Sequence, residues 1–349
     1  MLDWQDTPQS NMTGDVAARG NMRREIRAVL VGLTAAVIIA ALTMSPASAT
    51  SRLTTVGTTN PGIFAGGLYH EANTPAADAA DRLRAEGDGV SAALIDQIAS
   101  QPTAVWLGNW FTDDLLKRVI ARHVAAAQAQ GTTLVFVTYA IPNRDCGGYS
   151  AGGLANTEYL DWNRTIANAL VGTKAVVLIE PDSLSMLSST KCAGEAVTRL
   201  PLIHSAVNIL NGAGLTTFLD GGNSRWLSPA AQANWLTQAG IADAYGFYTN
   251  VSNFNPVQVE RDYAGKLSSR VGWKHFVIDV SRNGNGWTGT WCNPPGAALG
   301  ENPQVYTGTS KLDALLWVKH PGASDGTCNG GPTAGAWFES YALDLVRNR

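Results

Sequence analysis

Seven short apolar runs recur along the chain, separated by segments with apolar residues at helical spacing. The runs are rich in Val, Ile, Leu and aromatic residues and alternate little between apolar and polar positions. This pattern is typical of strands buried on both faces of a parallel sheet. The predicted strands cover residues 104–108, 133–141, 175–181, 216–222, 244–250, 275–281 and 314–320.

The segments between these runs have the marks of helices. The segment 113–131 begins with Asp113 and Asp114 and ends at Gly131, which favours a helix at both ends. The other predicted helices cover residues 157–172, 202–214, 229–240, 256–272 and 334–348. Strands alternating with helices indicate an α/β fold, a distorted (β/α) barrel with about seven parallel strands, similar to a TIM barrel. An open doubly wound sheet is the alternative, but no G-x-G-x-x-G follows the first strand.

Length and charge restrict the organisation and the partners. The chain has 349 residues, and we expect residues 50–349 to form a single domain because no linker or repeat interrupts them. The net charge is −3 with 15% charged residues, which gives no basic surface for a nucleic acid. The five histidines are scattered without metal-ligand spacing, so we expect neither a metal nor another cofactor. We expect a monomer.

The N-terminal residues 1–49 predict export. Residues 28–44 carry no charge, follow the basic segment MRREIR and precede SPASA, a small-residue pattern that suits cleavage after Ala49. A polar stretch followed by a secretory signal peptide is therefore predicted. The apolar segment also reaches the lower limit of membrane-spanning length, so an uncleaved membrane anchor is the alternative. In both cases the remainder faces an oxidising compartment and is secreted or held outside the cytoplasm.

Four cysteines lie within residues 146–328. In an oxidising compartment this number favours two disulfides over a metal site. Three pairings are possible. We favour the sequential pairing because it closes two loops of moderate length, Cys146–Cys192 and Cys292–Cys328.

The predicted strand ends carry the residues able to do chemistry, since reacting groups gather at the carboxyl ends of barrel strands. In chain order these residues are Trp106, Tyr139, Asp182, Asp220, Asn250, Asp279 and Lys319, with Asp145 and Asp325 a few residues beyond. No Cys–His pair or G-x-S-x-G elbow accompanies them, which argues against a nucleophilic Ser or Cys. Aromatic rings stack on sugar faces, and glycosidic cleavage uses a carboxylic acid with a second carboxylate. A carbohydrate-cleaving site is therefore predicted.

Two segments are the best candidates for this site. In VVLIEPDSL (176–184), Glu180 and Asp182 flank a proline directly after a strand, and in an extended stretch both side chains would point the same way. In YAIPNRDC (139–146), Arg144 and Asp145 are adjacent. Taken separately, each pair also has an interpretation without catalysis. Glu180 and Asp182 could cap the next helix, and Arg144 and Asp145 could form a salt bridge on the surface.

Together the two segments carry a family resemblance. VTYAIPNRDCGGYSAGG and VVLIEPDSLS are similar to the two signature motifs of glycoside hydrolase family 6, the inverting cellulases. LDGGNSRW, SRNGNGW…WCNPPG and LLWVKHPGASDG resemble further blocks of that family in the same order, from about residue 60 to the C-terminus. The four cysteines fall where the two disulfides of the family lie, which supports the sequential pairing.

The resemblance implies roles for individual residues. Asp182 corresponds to the general acid, Asp145 to the carboxylate that keeps this acid protonated, and Asp325 to the proposed general base. Arg144 is expected to hold Asp145 ionised by pairing with it. The other expected substrate-binding residues are Tyr139 at the cleavage point, Asp220, the stacking residues Trp106, Trp226 and Trp291, the hydroxyl contact Lys319, and the strand-end residue Asn250.

Two positions depart from the family pattern. Ala323 replaces a glutamate that contacts the sugar, and Ala151 stands where many members have a serine that positions water, with Ser150 one residue earlier. Neither change removes a catalytic carboxylate, so activity is expected.

The segment CNGGPTA (328–334) is too short to roof a cleft. The resemblance and this open cleft predict a secreted endo-acting hydrolase of β-1,4-glucosidic bonds in cellulose or a related β-glucan, with inversion. The alternatives are a non-catalytic glucan-binding protein on the same fold, a cellobiohydrolase-like enzyme and a glycosidase for another polymer. Four intact aspartates argue against the first alternative, whereas Ala323 leaves the last one open.

Overall fold

The computed structural model describes residues 62–349. The predicted signal peptide, its cleavage site after Ala49 and the domain boundary at residue 50 lie outside the described residues. Within residues 62–349, no helix is long and apolar enough to cross a membrane.

One sheet of eight strands organises the described residues, in the order β1-β2-β3-β4-β5-β6-β8-β7. Neighbouring strands from β1 to β6, and β6 with β8, pair in parallel, whereas β7 is antiparallel to β8. The strands are β1 (Val105–Gly108), β2 (Leu134–Tyr139), β3 (Ala175–Ile179), β4 (Thr216–Asp220), β5 (Gly246–Thr249), β6 (His275–Asp279), β7 (Gln304–Val305) and β8 (Leu312–Leu316). The seven predicted strands are confirmed. The edge strand β7 was not predicted, because two residues leave no periodicity to detect.

Eight helices accompany the sheet in residues 62–349: α1 (Pro75–Ala85), α2 (Gly89–Ala99), α3 (Asp113–Gln130), α4 (Asn156–Leu170), α5 (Ala196–Gly212), α6 (Pro229–Gln238), α7 (Val257–Arg270) and α8 (Glu339–Arg347). The six predicted helices are confirmed. The start of α5 is earlier than predicted, with Pro201 inside the helix, and that of α8 is later. Helices α1 and α2 were not predicted; Thr74 and Asp88 cap them by accepting hydrogen bonds from Ala77 N and Ser91 N.

The two faces of the sheet are both apolar. Along β2, Leu134 and Phe136 pack beneath the helices, whereas Val135, Val137 and Tyr139 belong to a second cluster inside the barrel. This inner cluster also contains Trp106, Val176, Leu178, Phe218, Tyr248, Val277 and Leu316. Burial on both faces explains why the strands read as continuous apolar runs.

The first and last parallel strands, β1 and β8, meet without a continuous ladder of backbone hydrogen bonds between them. Ala104 N donates to Trp317 O at 3.0 Å, Trp106 Nε1 donates to Val318 O at 2.8 Å, and His320 Nε2 lies 2.6 Å from Ala104 O. We call these contacts the seam. The sheet is therefore a distorted barrel that closes through single hydrogen bonds, as expected for a barrel with seven parallel strands.

Both predicted disulfides are present, Cys146–Cys192 and Cys292–Cys328, with Cα–Cα distances of 5.6 Å and 6.1 Å. The first joins the loop after β2 to the loop after β3. The second joins the loop after β6 to the loop after β8. Both bridges therefore lie among the loops that follow the carboxyl ends of the strands.

Candidate active site

A cleft of about 540 Å³ opens at the carboxyl ends of the parallel strands. It brings together eight of the predicted site residues: Trp106, Tyr139, Asp145, Asp182, Trp226, Trp291, Lys319 and Asp325. Arg144, Asp220 and Asn250 are not part of its lining. The predicted site residues therefore divide into those that face this cleft and those behind it.

Asp182 reaches the cleft because the chain turns sharply after β3. Both Glu180 and Asp182 have left-handed backbone conformations, with φ of +51° and +69°. Such conformations are costly for residues other than glycine and cluster at functional sites. The expectation that the two side chains point the same way is therefore wrong, since the stretch is not extended. The Glu180 carboxylate is buried and accepts hydrogen bonds from Ala140 N and Ile141 N, while Asp182 lines the cleft.

The surroundings of Asp182 favour its neutral form. The side chain keeps one side open to the cleft and is otherwise enclosed by protein. Burial raises the pKa of Asp182 well above its usual value, and the negative charges of Asp220 and then Asp145 add to this effect. The residue is therefore suited to donate a proton near neutral pH. Asp145 was expected to be the carboxylate that keeps Asp182 protonated, but Asp220 contributes more to the raised pKa of Asp182.

Asp220, the last residue of β4, lies beneath the loop that follows Asp182. Its Oδ2 accepts hydrogen bonds from Leu184 N at 3.2 Å and Ser185 N at 3.3 Å, and its Oδ1 accepts one from Gly222 N at 2.9 Å. Burial raises the pKa of Asp220 to about 6, and these backbone donors limit the rise. These donors favour the ionised form of Asp220, whose negative charge in turn favours the neutral form of Asp182.

The segment 143–153, which we call the flap, carries Asp145 on a left-handed backbone with φ of +60°. Asp145 Oδ2 accepts a hydrogen bond of 2.6 Å from Ser150 N, so the carboxylate closes a tight turn. A Cβ at Gly148 would overlap this carboxylate, which explains a glycine there. The Tyr149 ring packs edge-on against Trp291 at 5.8 Å. The flap therefore contacts the opposite wall of the cleft.

Arg144 holds the flap but not through Asp145. Its buried guanidinium group donates to Tyr139 O, to Ser150 O at 2.9 Å and to Asn109 Oδ1 at 2.8 Å. No ion pair with Asp145 forms among residues 62–349. The expected Arg144–Asp145 pair is therefore wrong, because the carbonyl oxygens of Tyr139 and Ser150 and the amide oxygen of Asn109 take the guanidinium donors.

Tyr139 and Trp106 form the floor of the cleft. Their rings meet edge to face at 5.1 Å, and the guanidinium carbon of Arg144 lies 4.2 Å from the Tyr139 ring centre. Burial, followed by the charge of Asp182, raises the pKa of Tyr139, so its hydroxyl stays protonated. The floor is thus rigid and connected to the flap.

Asp325 is held by two buried cations. Arg282 Nη1 donates to its Oδ2 at 2.8 Å, and Lys319 Nζ lies 3.0 Å from its Oδ1. Burial alone would raise the pKa of Asp325, but Arg282 and Lys319 together lower it to about 2. Burial lowers the pKa of Lys319 itself, an effect that Asp325 opposes. Asp325 is therefore a fixed anion with both oxygens occupied.

Asn250 serves the loops and does not reach the cleft. Its amide donates to Asp279 O at 2.9 Å and Asn255 O at 3.3 Å. The Asp279 carboxylate in turn accepts backbone hydrogen bonds from Ser252 and Lys319. Polar residues at strand ends thus fall into two groups, those that pin neighbouring loops and those that face the cleft.

Several cleft residues were not predicted as site residues, and neither was Arg282, which pairs with Asp325. These further lining residues are Tyr149, Ser150, Met186, Asn223, Arg225, Ser252, Asn253, Asn255, Trp287, Ser324 and Ala334. They lie on loops without periodicity, and the one signal for Trp287 was its place at the end of the block SRNGNGW. Ala323 is buried away from the cleft lining. Among residues 62–349, no group of three or more His, Cys, Asp or Glu could hold a metal ion.

Comparison with known proteins gives consistent matches. The sequence profile of the family described as "Glycosyl hydrolases family 6" matches residues 66–349. The chain is 44% identical over 260 residues to Endoglucanase A of Cellulomonas fimi, a match that covers 74% of this chain and 57% of that protein. It is 33% identical over 360 residues to Endoglucanase 1 of Streptomyces sp. (strain KSM-9), covering 98% of this chain and 99% of that protein.

A solved structure agrees with these matches. The endoglucanase from Mycobacterium tuberculosis, in complex with a methyl-cellobiosyl-4-deoxy-4-thio-β-D-cellobioside, has a TM-score of 0.75 and 37% identity, over 80% of this chain and 96% of that one. Exoglucanase 2 of Hypocrea jecorina is 31% identical over 325 residues, covering 74% of this chain and 69% of that protein. The chain belongs to glycosyl hydrolases family 6.

Proposed function

We propose that the protein hydrolyses internal β-1,4-glucosidic bonds of cellulose or a related β-glucan, with inversion at the anomeric carbon. One observation carries the proposal: Asp182, whose pKa burial raises well above its usual value, faces a cleft lined by tryptophan residues. The relatives named endoglucanases and the neighbour with a bound cello-oligosaccharide analogue support the choice of substrate.

In the proposed reaction, Asp182 donates its proton to the glycosidic oxygen as the bond from this oxygen to the anomeric carbon breaks. Water attacks that carbon from the opposite face and loses a proton, so the product is an α-anomer. The negative charge of Asp145 stabilises the positive charge that develops at the anomeric carbon. The rigid Tyr139 floor crowds the sugar and favours a distorted ring.

The attacking water needs a partner, and Asp325 is a poor proton acceptor. With a pKa of about 2 and both oxygens held by cations, it has little tendency to take a proton. Ser150 lines the cleft, and its N–H donates to Asp145. We assign the positioning of the attacking water to Ser150, in place of the serine that many family members have at position 151. Asp145 accepts the proton that this water loses.

An open cleft supports internal cleavage over release from chain ends. Trp226 and Trp291 are 37% and 47% exposed, so both remain accessible from outside even though Tyr149 of the flap touches Trp291. The segment Cys328–Ala334 is short, and the Cys292–Cys328 disulfide ties its first residue to the neighbouring loop, which follows β6. A polymer can therefore enter the cleft at any point along its length.

Secretion and a monomeric state belong to the same proposal. A polymeric glucan does not enter cells, and two disulfides suit an oxidising compartment. An uncleaved N-terminal anchor would leave the domain on the outer side of the membrane. Mass spectrometry of the mature protein and light scattering test these two points.

The main test combines viscosity with stereochemistry. An endo-acting enzyme lowers the viscosity of soluble substituted cellulose at a low yield of reducing ends, whereas a cellobiohydrolase-like enzyme releases cellobiose with little loss of viscosity. Proton NMR of fresh cello-oligosaccharide products should show α-anomers; β-anomers would contradict inversion. Asp182→Asn should reduce turnover by about 10²–10⁴-fold. If the folded wild-type protein binds cello-oligosaccharides but does not hydrolyse them, the result would instead indicate a glucan-binding protein.

A further inference from the structure

Trp287 presents an indole ring to the cleft that no catalytic step uses. The side chain is 37% exposed and belongs to the cleft lining. The guanidinium carbon of Arg225 lies 5.3 Å from the centre of this ring, within the range of a cation–π contact. A large aromatic ring half open to water beside a polysaccharide cleft is a candidate sugar contact.

The two side chains come from different loops. Arg225 lies after β4, directly before Trp226, and Trp287 lies after β6, four positions before Trp291. Trp226 and Trp291 also line the cleft, so Trp287 shares it with two aromatic residues that the substrate is expected to cover. The Arg225–Trp287 contact joins these two loops at the cleft rim.

The donors of Arg225 are available for a ligand. Its backbone N–H donates to Asn223 Oδ1 at 3.0 Å, but within residues 62–349 its guanidinium group makes no hydrogen bond and no ion pair. By contrast, the guanidinium groups of Arg144 and Arg282 donate to several protein acceptors. The ring therefore holds the Arg225 fork in place while its N–H groups point to water, an arrangement suited to sugar hydroxyl groups.

We propose that Arg225 and Trp287 form a sugar-binding position, the Arg–Trp platform, which takes a glucosyl unit remote from the cleaved bond. The free part of the Trp287 ring packs on the C–H face of the pyranose, and Arg225 donates to its hydroxyl groups. Neither residue contacts Asp145, Asp182 or Asp325 in the described structure, so the platform acts on chain length and not on bond cleavage. This inference rests on the proposed β-glucan substrate.

The test is binding in a background that cannot turn over. In Asp182→Asn protein, calorimetry with cellotriose and cellohexaose compares a short and a long chain. Trp287→Ala should weaken cellohexaose binding about tenfold and leave cellotriose nearly unchanged. Arg225→Met, which keeps the stem but removes the N–H donors, should weaken cellohexaose binding by a smaller factor. In protein that is wild type at every other position, Trp287→Ala should lower kcat/KM on cellohexaose by the same factor.

Trp273→Ala is the matched control, because Trp273 is 63% exposed, follows α7 and does not line the cleft. It should change neither affinity. Equal loss for both oligosaccharides in Trp287→Ala, or loss for neither, overturns the platform and leaves the Arg225–Trp287 contact as a clasp between loops. If wild-type protein binds cellohexaose but hydrolyses no cello-oligosaccharide, the proposed function is wrong. The binding data would then still decide whether the platform exists.

Discussion

Arg282 Nη1 donates a hydrogen bond of 2.8 Å to Oδ2 of Asp325, and both side chains are buried. With Lys319 on the other oxygen, two cations and one anion share a buried site. The pKa of Asp325 at about 2 means that the carboxylate stays charged throughout the working pH range. We expect its contribution to catalysis to be that of a fixed charge, which holds Lys319 at the cleft.

Removal of Asp325 should cost stability as well as activity. Asp325→Asn leaves two buried cations without their anion, and breaking a buried pair in this way typically costs about 3–5 kcal/mol. Denaturant unfolding measures the loss. The control is Asp161→Asn, which removes an exposed partner of Arg164 and should leave the free energy of unfolding nearly unchanged. An Asp325→Asn protein with full stability would contradict the assignment of Asp325 as an essential counter-ion.

The pH profile should depend more on Asp220 than on Asp145. Activity needs protonated Asp182 and so falls as pH rises through the pKa of Asp182. Since Asp220 raises this pKa more than Asp145 does, Asp220→Asn should move the alkaline limb of kcat/KM to lower pH, and Asp145→Asn should move it less. An alkaline limb that stays in place in Asp220→Asn, or moves further in Asp145→Asn, would refute this order.

Arg199 should act as a positioning residue. It is buried in α5 and donates to Asn143 O at 2.9 Å and to Ser183 O at 3.0 Å, so it ties the start of the flap to the residue after Asp182. Arg199→Met should lower kcat by about 10–100-fold with a much smaller change in KM, because small displacements of reacting groups are costly. Arg199→Lys should restore part of kcat. Parallel changes in kcat and KM would indicate a role in binding instead.

Gly148 should matter for the placement of Asp145. An added Cβ would meet the Asp145 carboxylate, and the φ of −75° at Gly148 is ordinary, so Gly148→Ala strains the side-chain contact and not the backbone. We expect kcat to fall about tenfold with the melting temperature nearly unchanged. Gly194→Ala is the control, because a Cβ there meets nothing within 4 Å. Full activity in Gly148→Ala would show that Asp145 tolerates displacement.

The sequence predicted the elements better than the directions of side chains. The strands followed from apolar runs, because burial on both faces leaves a signal that needs no tertiary contact. The positions of Asp182 and Asp145 in the cleft followed from motifs. The positive φ values at Glu180 and Asp182 did not, since the turn that sends the two carboxylates apart depends on neighbouring strands.

Ion pairing was the other weak point. Adjacent charges suggested an Arg144–Asp145 pair, but Arg144 donates to carbonyl groups and Asp325 takes the cations Arg282 and Lys319. These partners are distant in sequence, and no local pattern indicates them. Trp287 was missed for a related reason, because only the meeting of two loops places it beside Arg225.

The seam is the place where the floor of the cleft can widen with the loss of the fewest hydrogen bonds. Trp106 and Lys319 lie on its two sides, and between their strands Ala104 N and Trp317 O form the backbone link, whereas other neighbouring parallel strands share a ladder. Widening the floor here breaks few bonds, so a bulkier or branched polymer meets least resistance along this line. Divergence among relatives in substrate width can accumulate at residues of the seam while the rest of the sheet stays unchanged.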